Sequence, residues 1–131
     1  MTVEQIKKLK KKIYKQTKNS METVGTFRPE FDPIVERYAE LRAQFQELND
    51  QWYADGCKIT EDYTNKASAT NKRKTALYLA LETLRKELAD MENLFGLTPK
   101  GLKGIKRKGL ETGTQSKLDS VLEALSNEQK P

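Results

Sequence analysis

Histidine is absent from this chain of 131 residues, and cysteine occurs once, as Cys57. Imidazole base catalysis and histidine metal ligation are thereby excluded, as is an intrachain disulfide, and no thiolates have the spacing of a metal site. Long apolar runs are also missing. Behind the basic opening nothing reaches signal-peptide or transmembrane length, so residence in the cytosol of the producing cell is expected. Hydrophobic residues make up 36% of the chain, which suits one modest core rather than two independent domains. Glu40, Glu47, Glu82, Glu87 and Asp90 offer helix-spaced carboxylate pairs. With 33% of residues charged such pairs arise without purpose, so neither an enzyme active site nor a cofactor is expected.

Charge is abundant and unevenly placed. The 24 bases and 19 acids leave a net charge of +5. Residues 1–18 carry Lys7, Lys8, Lys10, Lys11, Lys12, Lys15 and Lys18 against Glu4, whereas Arg28 to Asp55 holds seven acids and three arginines. Basic ends thus flank an acidic middle, a balance that suits a polyanionic partner.

Two apolar seams organise the middle. Ile34, Tyr38, Leu41, Phe45, Leu48 and Trp52 recur at steps of four and three, and Leu77, Leu81, Leu84, Leu88, Met91 and Phe95 repeat them. This is a coiled-coil period, and it predicts two long helices whose seams face each other. The fold class expected is all-α: a long antiparallel helical hairpin with short basic terminal helices. Phe45 and Trp52 are core on this reading, and Tyr53, one position off the seam, is a rim residue. Leu79, Ala80, Ala89 and Leu94 widen the second seam beyond what one partner helix covers. Oligomerisation supplies the missing wall.

Residues 4–18 fit a short helix with Ile6, Leu9, Ile13 and Tyr14 on one side, marginal alone. A solvated frayed tail, contact with nucleic-acid phosphates and a membrane-surface helix compete for it, the last ranking lowest because the apolar face is narrow. From Val24 to Phe31 an extended arm is expected against a neighbouring surface. Asp32 before Pro33 suits an N-cap and first-turn proline. Between Gly56 and Asn71 the apolar period vanishes, leaving an extended excursion around Ile59 and Tyr63 and then an exposed crossing. Asn71 is placed to cap the second long helix, which would set Lys72, Arg73 and Lys74 at its start. Glu82 and Lys86 are spaced for an ion pair.

Gly96 stops that helix, Thr98 is placed to cap the next and Pro99 suits its first turn. Lys100, Lys103, Lys106, Arg107 and Lys108 make this short helix basic throughout, and Gly101, Gly104 and Gly109 make it dependent on docking through Leu97, Leu102 and Ile105. After a polar linker, Leu118, Val121, Leu122 and Leu125 form a short amphipathic segment, either a docking peptide or a cover for the chain's own helices. The chain divides into a basic N-terminal segment (1–23), an arm and helical-hairpin oligomerisation core (24–97), a short basic helix (98–110) and a linker with a C-terminal docking segment (111–131).

The arm VGTFRPEFDPIVERYAELRAQFQELNDQW, the polar connection, LETLRKELADMENLFGLTP and the basic segment after GLTP together resemble the small subunit of bacteriophage terminase, specifically the P27 family. The likeness covers Val24 to about Ile105. It implies a non-catalytic component of the packaging motor of tailed phages, acting in the cytoplasm of the infected bacterial host. It also implies a ring-like homo-oligomer, of about nine subunits, that engages double-stranded viral DNA and regulates the large subunit, an ATPase and nuclease. No helix-turn-helix opens the chain, so the DNA-contact candidates are chosen by charge: Lys7, Lys8, Lys10, Lys11, Lys12, Lys15, Lys72, Arg73, Lys74, Lys100, Lys103, Lys106, Arg107 and Lys108. Leu118, Val121, Leu122 and Leu125 are the candidates for docking the large subunit. A general helical DNA-binding protein and a structural adaptor without a packaging role are the alternatives.

Overall fold

The computed structural model describes residues 1–107, with Leu122, Ala124 and Leu125 beyond them. Its elements are α1 (Val3–Val24), a 3-10 turn (Pro29–Phe31), α2 (Asp32–Ala54), β1 (Thr60–Thr64), β2 (Thr70–Lys74), α3 (Ala76–Leu94) and α4 (Pro99–Arg107). The chain is mostly helical, and the all-α expectation misses one small antiparallel sheet.

α1 is longer than residues 4–18, and both its ends are locally determined. At the start Thr2 and Gln5 form a capping box: the Thr2 hydroxyl accepts from the Gln5 amide at 3.2 Å, and the Gln5 side chain accepts from the Thr2 amide at 2.9 Å. At the end Gly25 turns left-handed at φ 80°, which lets the Thr26 amide reach the Met21 carbonyl at 2.9 Å. Thr17 and Met21, both buried, continue the stripe of Ile13 and tie the helix to the core. Docking, rather than propensity, supports a helix crowded with lysine.

α2 is shared by two helices. Tyr38 meets Phe95 edge to face, with centroids 5.4 Å apart, and its hydroxyl donates to Glu92 at 2.6 Å, while Arg85 lies 5.9 Å from the Phe45 ring centre. These pairs place α3 along one side of α2. The other side carries Val35, Ala39 and Ala43, all buried at steps of four. That stripe belongs to α1, whose Tyr14 donates to Asp32 and whose Lys10 pairs with Glu40 at 4.0 Å. At the far end the Met1 ammonium reaches Glu47 at 3.0 Å.

Burial therefore redistributes the seam residues. Tyr38, Leu81, Leu88 and Phe95 are buried; Leu41, Phe45 and Met91 pack on the core from its edge; Leu48, Trp52, Leu77 and Leu84 are half-buried; Ile34 is 44% exposed. The core groups Met21, Val35, Tyr38, Leu88 and Phe95, so α1 contributes to it directly.

Several local expectations give way. Val24 to Phe31 is not an extended arm: Thr26 is buried, Phe27 and Phe31 pack on the chain's own core, and a 3-10 turn carries Pro29 to Phe31 into α2. Asp32 is the first residue of α2 rather than its cap, because its carboxylate is taken by Tyr14. α3 is capped by Thr75, which accepts from the Tyr78 amide at 3.1 Å, so Asn71 and the three bases after it belong to β2. Glu82 pairs with Lys74 at 2.9 Å, not with Lys86.

The connection between α2 and α3 is a β-hairpin exposed along both strands. Its register sets Glu61 opposite Arg73 and Asp62 opposite Lys72. Asn65 ties the tip, its side chain accepting from the Ala67 and Ala69 amides at 3.0 Å. At its root Trp52 donates to the Lys58 carbonyl at 3.0 Å, beside exposed Cys57 at φ 61°.

Two phenols make the fold sensitive to alkali. The Asp32 hydrogen bond, followed by burial, pushes Tyr14 up to about 12, and burial followed by the Glu92 bond raises Tyr38. Each group holds its proton more tightly folded than unfolded. Its stabilisation is complete below the free phenol value of about 10 and is lost as pH rises through the folded value. Urea midpoints should fall above about pH 10, and Tyr14→Phe or Tyr38→Phe should each flatten that fall.

Candidate nucleic-acid interface

The basic residues lie on three elements, and intrachain pairing separates them. On α1, Lys7, Lys8, Lys11, Lys12 and Lys15 are exposed on the side away from Ile6, Leu9, Ile13, Thr17 and Met21. Among the described residues none of these five enters an ion pair, whereas Lys10 is held by Glu40 and the Lys18 ammonium sits 5.2 Å from the Phe27 ring centre. A groove of about 420 Å³ follows the helix, lined by Lys7, Lys10, Lys11, Tyr14, Lys15 and Glu36. Tyr14 and Glu36 were not legible as groove residues, since both depend on how α1 crosses α2.

On β2 the charge is largely answered. Arg73 contacts Glu61 at 2.9 Å and stacks over Tyr63 at 4.5 Å. Lys74 is bound by Glu82, which raises the affinity of its ammonium for the proton. Lys72 faces Asp62 across the ladder. Arg73 braces the hairpin against itself and Lys74 braces it against α3, while Lys72 enters no ion pair among the described residues.

On α4, Lys100, Lys103 and Lys106 are exposed. Of the other two candidates, the Arg107 side chain and Lys108 lie outside the described residues. The helix is fixed by Thr98, which accepts from the Gly101 amide at 3.0 Å. Gly101 passes so close to Asn93 that a Cβ there would lie 2.1 Å from its carbonyl oxygen. Gly96, at φ 72°, makes the corner between α3 and α4.

The family model described as "Phage terminase, small subunit" matches residues 11–112. The chain belongs to that family. The match runs from within α1 through α4, so in this small terminase subunit it takes in both long seams, the hairpin and the α3–α4 corner. Membership supports a role in phage genome packaging, in the infected host. No curated protein and no solved structure matches this small subunit. Among the described residues no helix is long and apolar enough to cross a membrane, and no group of three or more His, Cys, Asp or Glu side chains is placed to hold a metal ion.

The remaining candidates divide. Leu122 and Leu125 are 59% and 53% exposed, while Leu118 and Val121 lie outside the described residues. On α3, Leu79 and Leu94 are 48% and 74% exposed, so the widened apolar stripe is left open within one chain.

Proposed function

We propose that this chain is a non-catalytic, P27-type small terminase subunit that forms a homo-oligomeric ring of about nine copies, engages double-stranded phage DNA and regulates the large subunit. The lysine stripe of α1, which enters no ion pair among the described residues, carries the DNA assignment. Lys7 and Lys11, Lys8 and Lys12, and Lys11 and Lys15 stand four apart, and Lys8 and Lys11, and Lys12 and Lys15, three apart. Each such pair repels. A helix that leaves all five without an ion pair among the described residues breaks a local rule, the pattern of a surface kept for a polyanion. From Lys7 to Lys15 the stripe is about 12 Å long, against ~3.4 Å of axis per phosphate on one DNA strand. Contacts of this kind position DNA without reading its sequence, leaving selectivity to bending around many copies. Lys100, Lys103 and Lys106 offer a second basic surface on α4, and Arg107 and Lys108 stay within the proposal by sequence.

Replacing Lys8, Lys11, Lys12 and Lys15 with Gln tests this. The slope of log affinity against log salt should lose about 3–4, at roughly 0.9 per phosphate contact. Helicity by circular dichroism should hold or rise, because repulsion is relieved. An unchanged slope would move the contact to α4, where Lys100→Gln, Lys103→Gln and Lys106→Gln would then carry the loss.

Assembly rests on the exposed apolar side chains of α3. Leu79→Glu, outside the apolar pocket, is expected to lower the oligomer mass measured by light scattering while leaving the helical signal intact. An unchanged mass would place the contact elsewhere. Docking of the large subunit is assigned to Leu118, Val121, Leu122 and Leu125, and stimulation of its ATPase by this chain separates a packaging role from general DNA binding.

A further inference from the structure

Where α1, α2 and the α3–α4 corner meet, an open apolar pocket of about 250 Å³ is left uncovered. Met21 and Phe31 form its walls, Ile34 and Leu94 its exposed rim, and Ile105 of α4 closes one side. Its polar lining is already engaged. The Thr26 hydroxyl donates to the Phe95 carbonyl at 2.7 Å, and the Thr26 amide is bound to the Met21 carbonyl. A polar ligand finds nothing free here. The volume falls below the ~300–1,000 Å³ of ordinary small-molecule sites, and an open apolar recess of that size suits inserted aliphatic side chains.

We infer that the pocket is the docking site of the chain's own C-terminal segment, with Leu122 and Leu125 entering it. Three observations select this occupant. First, α4 ends at Arg107, two residues past Ile105 on the pocket wall, so the tether starts at the site. The ten residues 108–117 reach up to ~33 Å, which holds the segment at a high effective concentration. Second, Leu118, Val121, Leu122 and Leu125 are spaced as one helical face, and Leu122 and Leu125 are more than half exposed. Third, charges match: residues 118–128 hold Asp119, Glu123 and Glu128 and no base, whereas α4 beside the pocket presents Lys100, Lys103 and Lys106 and no acid. Burial in cis conceals the leucines that the functional reading assigns to the large subunit. Docking of the large subunit then requires their release. That regulatory consequence rests on the functional reading; the docking itself does not.

The test uses the full chain with Cys57→Ser, Ile34→Cys and Leu125→Cys, oxidised at low protein concentration. The control pair joins Leu125→Cys to Tyr53→Cys, which is exposed at the opposite end of α2. An intrachain disulfide should form about tenfold faster in the Ile34 pair than in the control, as expected for a local encounter. Equal rates would overturn the proposal, and disulfide-linked dimers would overturn it by assigning the pocket to a neighbouring copy's segment. In the otherwise unaltered chain, Leu122→Asp with Leu125→Asp should speed amide exchange at Thr26 and Ile105 several-fold. Unchanged protection would equally sink it. Neither readout involves DNA or the large subunit, so each idea fails separately.

Discussion

Leu88→Asp is expected to unfold the single chain rather than merely dissociate an assembly. Leu88 is 4% exposed and packs with Met21, Val35, Tyr38 and Phe95, three helices contributing to one cluster. A carboxylate placed there has no base among the side chains of this cluster and would be buried unpaired, at a cost of several kcal/mol. Even Leu88→Ala should cost about 2–5 kcal/mol, a large share of the ~5–15 kcal/mol typical of a domain. Urea unfolding followed by circular dichroism measures both. An intact helical signal with only a smaller oligomer mass would place Leu88 at a subunit interface instead. The seam pattern alone invites that second interpretation, since a period of four and three does not say whether the opposing helix is in the same chain.

Two glycines in one nine-residue helix should respond with opposite sign. Gly101→Ala drives a Cβ to 2.1 Å from the Asn93 carbonyl oxygen and 2.8 Å from its carbonyl carbon, both backbone atoms that no side-chain rotation can move aside. The first turn of α4 must lift from α3, at about 1–3 kcal/mol or more, and Leu102 and Ile105 lift with it. Gly104→Ala meets nothing within 4 Å and replaces a poor helix former by the best, a gain of about 0.5–1 kcal/mol. Thermal melting of the two variants should bracket the unsubstituted chain. A melting point for Gly101→Ala at or above that of the unsubstituted chain would mean that α4 is not held against Asn93.

How much of this was legible follows from what each residue type announces. The two long helices were written in large apolar residues at helical spacing. The stripe that receives α1 was not, because Ala39 and Ala43 are as ordinary on a surface as in a core; only a contiguous view of Val35, Ala39 and Ala43 at steps of four would have raised it. The hairpin was silent for a different reason. It has no buried face, and what orders it is Glu61 opposite Arg73, Asp62 opposite Lys72 and the Asn65 tip, relations between residues rather than a pattern of hydropathy. Alternating Thr60, Asp62, Thr64 and Thr70, Lys72, Lys74 around a polar loop was the available signal. The basic segments were visible as charge, but not which charges were answered. Glu61 lies 12 residues from Arg73 and Glu82 lies 8 from Lys74, separations that only the folded chain closes.

Cys57 gives the hairpin root a practical value. It is the chain's lone thiol, it is exposed, and it stands where α2 gives way to the finger. One maleimide dye therefore marks each copy once, at the end of α2 opposite the apolar pocket that Ile34 rims. Stepwise photobleaching of single labelled particles would then count the copies in any assembly directly, and energy transfer between neighbouring dyes would test the proposed ring by reporting the spacing of the hairpin roots.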